Sequence, residues 1–159
     1  MIKIGDNLPH VEFFVMTAEG KTKTSSDVIF AGRKIVLFAV PGAFTGTCTK
    51  THLPGFTNAI EALKAKGIDM VACTSVNDID VLAAWSKQYG ADGKITMLAD
   101  GNAAFAKALG LEVDLAAAGM GLRSKRYSMF IDNGTVRQLN VEEKSGVNVS
   151  GAETILSQL

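Results

Sequence analysis

Of the 159 residues only two are cysteine, Cys48 and Cys73, and only three are proline. Two cysteines cannot build a disulfide framework, so the count fits a protein of a reducing compartment. Net charge is missing as well, because 16 Lys and Arg are balanced by 16 Asp and Glu. Binders of nucleic acid and of membrane surfaces need a basic excess, and the balance argues against both. No apolar run is long enough to span a bilayer; the longest clear one, Ile35 to Pro41, has the length of a buried strand. The first residues, Met1-Ile2-Lys3-Ile4-Gly5-Asp6, hold no apolar run ahead of a small-residue cleavage site, so a cytoplasmic location is expected.

What is present suits a packed globular chain. Hydrophobic residues make up 47% and charged residues 20%, a balance unlike that of disordered segments. The length fits one domain over residues 1–159, whose core needs no structural metal. Glycines divide it regularly. Strands are expected over His10 to Met16, Lys34 to Val40, Met70 to Val76 and Lys94 to Ala99. The second of these is apolar without alternation, as in a central strand covered on both faces.

Helical spacing runs from about Thr47 to Lys66 through Phe56, Ile60 and Leu63, with a kink expected at Pro54. A helix capped by Asn77-Asp78 carries Val81, Leu82 and Trp85, and a shorter one spans Asn102 to Leu109. Asp132-Asn133-Gly134 between two strand-like runs signals a hairpin. Ser150-Gly151-Ala152-Glu153 has capping-box spacing before a last helix. Alternating strands and helices closed by a hairpin describe an α/β fold with a central mixed sheet flanked by helices.

Chemistry concentrates in Pro41-Gly42-Ala43-Phe44-Thr45-Gly46-Thr47-Cys48-Thr49-Lys50-Thr51-His52-Leu53-Pro54-Gly55-Phe56. A loop leaves a buried strand and enters a helix whose first turn contains Cys48, where unpaired N–H groups favour a thiolate. Thr45 and Thr47 add hydroxyls, and Gly42 and Gly46 permit close backbone approach. His52 could share a helical face with Cys48, but a hydrolase-type Cys–His pair is the weaker reading. Cys48, Cys73, His10 and His52 lack compact metal-ligand spacing, so no metal is expected.

Pro41-x-x-x-Thr45-x-x-Cys48 resembles the active-site signature of the peroxiredoxins. The longer string through Phe56 resembles their type-II, or peroxiredoxin 5-like, subfamily. Ser75-Val76-Asn77-Asp78, Leu98-Ala99-Asp100-Gly101, Ala108-Leu109-Gly110-Leu111 and Arg123-Ser124-Lys125-Arg126-Tyr127-Ser128-Met129 resemble its later blocks, in order. The resemblance implies a thioredoxin-like fold and a thiol-dependent peroxidase that reduces hydrogen peroxide and small organic hydroperoxides without a cofactor. It implies that Cys48 is the peroxidatic cysteine and that Thr45 bonds the sulfur and the peroxide. Pro41 would shield the pocket, and Arg126 would hold the thiolate, with Arg123 as outer support. Where many members have proline, this chain has Gly46, which leaves the loop less rigid.

Members that resolve internally carry a second cysteine near the C-terminus, where Asn148-Val149-Ser150-Gly151 has none. Cys73 is therefore read as a buried strand thiol, with a resolving role as the alternative. The resemblance implies a one-cysteine enzyme recycled by glutathione and glutaredoxin. Recycling by thioredoxin through Cys73, or a peroxide sensor acting on a protein partner, stays open as an alternative. A homodimer is implied too, with Phe44, Leu53 and Phe56 beside its interface, and Leu115, Met120 and Leu122 are expected to rim the pocket.

Overall fold

The computed structural model describes residues 1–159. First come β1 (Glu12–Thr17), β2 (Gly20–Ser25), α1 (Ser26–Phe30) and β3 (Lys34–Ala39). A π-helical turn (Cys48–His52) then runs into α2 (Leu53–Asn58) and α3 (Ile60–Ala65). β4 (Met70–Ser75), α4 (Ile79–Gln88), β5 (Thr96–Ala99) and α5 (Ala104–Leu109) follow. A small ladder of β6 (Glu112–Asp114) and β7 (Leu122–Ser124) encloses a 3-10 turn (Ala116–Ala118). The hairpin β8 (Tyr127–Asp132) and β9 (Thr135–Val141) leads to α6 (Ala152–Ser157).

Seven strands form one sheet in the order β2-β1-β5-β4-β3-β8-β9, with β3, β4 and β5 parallel and the outer pairings antiparallel. This is the mixed sheet that the alternating pattern predicts. β3 shows why its sequence does not alternate. Ile35, Leu37 and Ala39 enter the apolar cluster shared with Phe30 and Phe105, while Val36, Phe38 and Val40 enter the opposite one, with Phe56, Leu63 and Trp85. Both faces are covered, so every second residue gains nothing by being polar.

Local signals explain most boundaries. The Asp78 carboxylate accepts from Val81 N–H at 3.0 Å and starts α4. Asn133 and Gly134 both have positive φ, 49° and 79°, as the tight turn between β8 and β9 requires. Three expectations change. The first strand starts at Glu12 rather than His10, whose ring lies outside and pairs with Asp27. The helix after Cys48 is interrupted twice, by the π turn before Pro54 and again at Ala59. Ser150 does not cap α6: Gly151 occupies the cap without a side-chain bond, and the Ser150 hydroxyl donates to Glu142.

Candidate active site

The end of β3 launches the loop that holds Cys48. Gly42 lets the loop pack closely there, since a Cβ would lie 3.1 Å from the Thr45 methyl and 3.2 Å from Arg123 Nη1 and would push those side chains by a few tenths of an ångström. Ala43 N–H donates to Asn77 Oδ1 at 3.0 Å, and Asn77 in turn accepts from Ser75 Oγ at 2.7 Å. Arg123 closes the support, donating to the carbonyls of Met120 (2.9 Å), Val76 (3.3 Å) and Pro41 (3.4 Å). Phe44 sits in the left-handed region with φ 65°, a conformation uncommon for a bulky residue.

The π turn has a cause in sequence. Pro54 has no N–H for the Lys50 carbonyl, and its ring would crowd that oxygen in an α-helix. The backbone widens instead, and Leu53 N–H bonds Cys48 O, five residues back. Cys48 lies at the head of this turn with its side chain fully buried. The next residue, Thr49, accepts from the Trp85 indole N–H at 3.0 Å.

Sheet register delivers the cation. Ala39 at the end of β3 pairs with Tyr127 at the start of β8, so Arg126 emerges beside the point where the loop departs. Arg126 Nη2 donates to Cys48 Sγ at 3.1 Å, and Nη1 contacts His52 Nδ1 at 2.9 Å. A guanidinium at this distance is a fixed cation and donor that can offset negative charge on the sulfur. Thr45 is placed differently from expectation. Its hydroxyl proton goes to Gly42 O at 2.7 Å rather than to the sulfur, which leaves the oxygen lone pairs free to accept. Pro41, Thr47, Leu115, Lys125, Arg126 and Glu142 line a cleft of ≈ 810 Å³ that brings solvent to Arg126 and to the loop before Cys48, while the sulfur itself stays buried behind it.

His52 was not expected to belong here as a support. It is buried, its Nε2 contacts Ser150 O at 2.9 Å, and its other nitrogen faces Arg126. A carbonyl only accepts and a guanidinium only donates, so the ring is neutral with its proton on Nε2. Burial, with the Arg126 charge adding to it, pushes the His52 pKa down to about 4. Between its ordinary 6.5 and that value the unfolded chain binds a proton that the folded chain refuses. Stability from this group is therefore complete above pH 6.5 and falls as pH drops toward 4, by roughly 3 kcal/mol in all. His52→Gln is expected to flatten that segment of a stability–pH curve measured by urea unfolding. An unchanged slope would remove His52 as its source.

Cys73 lies in β4 opposite Phe38, fully buried, and burial pushes its thiol well above the ordinary range. Of the apolar residues expected beside an interface, only Phe44 is exposed; Leu53 and Phe56 are core, with Phe56 stacked on Phe38. Leu115 lines the cleft as expected, and the Met120 methyl reaches Gly42, whereas Leu122 is exposed. No helix is long and apolar enough to cross a membrane.

Comparison with known proteins agrees with this arrangement. The Redoxin family model matches residues 3–156. Peroxiredoxin-2C of Oryza sativa subsp. japonica is 45% identical over 159 residues, covering 99% of this chain and 98% of that protein. Other relatives carry "chloroplastic" or "mitochondrial" in their names. The structure is similar to reduced Prx3 from Vibrio vulnificus in complex with hydrogen peroxide, with TM-score 0.96, 52% identity and 99% of each chain covered. It is also similar to peroxiredoxin 5 from Alvinella pompejana, with TM-score 0.86 and 33% identity over 99% of this chain and 97% of that one. With the buried thiol, its arginine and the thioredoxin-like sheet in one frame, the chain belongs to the Redoxin family as a type-II peroxiredoxin, a thiol-dependent peroxidase.

Proposed function

We propose that Cys48 is the peroxidatic cysteine of a one-cysteine peroxidase acting on hydrogen peroxide and small organic hydroperoxides. The observation that carries the reading is the Arg126 guanidinium 3.1 Å from Cys48 Sγ. The thiolate electron pair attacks one peroxide oxygen, the O–O bond breaks, and the second oxygen leaves with a proton as water or an alcohol. Arg126 offsets charge at the sulfur and along the breaking bond. Thr45 Oγ accepts from the peroxide O–H, and Pro41 screens one wall of the cleft. Cys48 is left as sulfenic acid. No metal or organic cofactor enters this cycle.

Two features favour an outside thiol for the return. The chain has no third cysteine, and Cys73 is held in the middle of the sheet. Reduced glutathione condenses with the sulfenic acid, forming an S–S bond and releasing water. The glutaredoxin thiolate then attacks the glutathione sulfur, taking the glutathionyl group and freeing the Cys48 thiol, and a second glutathione releases it from glutaredoxin as oxidised glutathione. This chemistry suits the reducing cytoplasm, where we place the protein as one domain of residues 1–159. The exposed Phe44 ring, edge-on to exposed Tyr89 with centroids 6.3 Å apart, supports a homodimer that covers this pair.

Mass spectrometry tests the cycle and the assembly on one sample. After one equivalent of peroxide and then glutathione, the denatured chain is expected to carry a single glutathione on Cys48. The native spectrum is expected to show two chains. A rapid Cys48–Cys73 disulfide reduced by thioredoxin would replace the one-cysteine cycle, and a monomer mass would remove the dimer.

A further inference from the structure

Glu142, at the end of β9, makes no salt bridge, yet one of its oxygens gathers four donors. Oε2 accepts from the N–H groups of Asn148, Val149 and Ser150, each at 2.8 Å, and from Ser150 Oγ at 2.6 Å. Successive N–H groups aimed at one point form an anion nest, here filled by the chain's own carboxylate. Burial works to raise the Glu142 pKa, but these donors outweigh it and leave the carboxyl below its ordinary value.

From Ser150 the contacts return to the active site. The Ser150 carbonyl takes the His52 Nε2 proton, and His52 Nδ1 takes a proton of Arg126. Glu142 also donates its own N–H to the Arg126 carbonyl at 3.0 Å. The contacts close into a ring of four residues, Arg126, Glu142, Ser150 and His52. Arg126 is thereby held at its main chain by the Glu142 N–H and at its side chain, by way of His52 and Ser150, by the Glu142 carboxylate. Its second guanidinium nitrogen is the one that meets Cys48.

We propose that Glu142 is a positioning residue for the peroxidase reaction, fixing through Ser150 and His52 the angle at which Arg126 meets Cys48. The proposal rests on the reading that Arg126 acts on the Cys48 sulfur. His52 is the last residue of the π turn that Cys48 begins, so exposing an oxidised Cys48 by unwinding that turn breaks the same ring. Weakening Glu142 therefore has two opposite consequences. The attack on peroxide slows because Arg126 loses its setting, and capture of the sulfenic acid by glutathione quickens because the turn opens more readily.

The single tryptophan reports on both steps, since the Trp85 indole is bonded to Thr49 inside the turn. Stopped-flow fluorescence of the full chain is expected to show Glu142→Ala reacting with hydrogen peroxide about ten-fold more slowly. Glutathione capture of the oxidised variant is expected to be faster than in the unmodified protein. Glu142→Gln, which keeps an oxygen acceptor but loses the charge, should show the same signs at smaller size and covers the case where the alanine variant fails to fold. His52→Gln should recover most of the rate lost in His52→Ala, because an amide can face both Arg126 and Ser150. Glu142→Ala should add little to the rate loss of His52→Ala. If Arg126→Ala is slow while the Glu142 variants match the unmodified rate, or if both their steps slow alike, the positioning role is overturned. If Arg126→Ala is itself unaffected, the reading beneath the proposal has failed instead.

Discussion

Cys48→Ser is expected to have no peroxidase turnover above background, while Cys73→Ser keeps most of it. A serine hydroxyl does not ionise near neutral pH, so the Arg126 guanidinium would face a neutral oxygen with no electron pair reactive enough to open an O–O bond. Cys73 differs in every respect that bears on reactivity. It sits within a paired strand, is fully buried, and burial disfavours its thiolate. Both cysteines belong to the same apolar cluster on one face of the sheet. That shared setting makes the comparison informative. A disulfide needs the two Cα atoms within about 7 Å and the side chains turned toward each other, and both sulfurs are free and buried here, Cys73 on a strand paired on both sides. Placing a hydroxyl in that apolar site costs Cys73→Ser about 1–3 kcal/mol of stability, so activity must be compared per folded molecule. Peroxide consumption is followed with glutathione plus glutaredoxin and, separately, with thioredoxin. Equal loss in both variants would place Cys73 in the catalytic cycle.

Apolar periodicity made the centre of the fold legible. β3 is apolar without alternation after Lys34, β4 and β5 are buried runs with few polar residues, and Asn133-Gly134 announces its hairpin through the two positive φ angles it must supply. The edges were not legible by that signal. β2 is Gly-Lys-Thr-Lys-Thr-Ser, polar throughout and largely exposed, because an edge strand facing solvent needs no apolar face and is protected from further pairing by its lysines. β6 and β7 have three residues each, too short to show a period. The final capping box failed for another reason: the cap falls on Gly151, one residue later, and the Ser150 hydroxyl is turned to donate to the Glu142 carboxylate.

The site followed a similar division. Short strings point to Cys48, Thr45, Pro41 and Arg126, because family resemblance acts on strings; the structure brings Arg126 to the Cys48 sulfur, while the Thr45 hydroxyl donates to Gly42 O. The departures came from interactions spanning long separations. His52 reaches Ser150 across 98 positions and Arg126 across 74, and neither contact leaves a local pattern. A signal was available in retrospect: a histidine on the apolar side of a turn, next to leucine and proline, needs buried partners for both nitrogens. The Pro54 kink was anticipated in the right segment. Its form, a widened turn placed before the proline, depends on how the missing N–H is accommodated by the preceding carbonyls.

Arg126→Ala is expected to slow the attack of Cys48 on hydrogen peroxide by about a hundred- to a thousand-fold, the scale seen when one fixed donor to a developing anion is removed. Two losses combine. The sulfur loses the cation at 3.1 Å that offsets negative charge there, and the departing oxygen loses a donor in the transition state. His52 loses its partner at the same time, leaving a buried acceptor unpaired. Arg126→Lys separates charge from shape. An ammonium restores a positive charge but cannot hold His52 and Cys48 with two nitrogens of one plane, so an intermediate rate is expected. Arg123→Ala removes a guanidinium whose bonds go to the carbonyls of Met120, Val76 and Pro41, none of them on the sulfur, and its effect on the chemical step should be smaller. Trp85 fluorescence in stopped flow gives the rates, and the ultraviolet absorbance of the thiolate gives its fraction. A thiolate fraction in Arg126→Ala equal to that of the unmodified protein would remove the charge argument. A loss in Arg123→Ala as large as that in Arg126→Ala would show that loop support, rather than the contact with the sulfur, governs the attack.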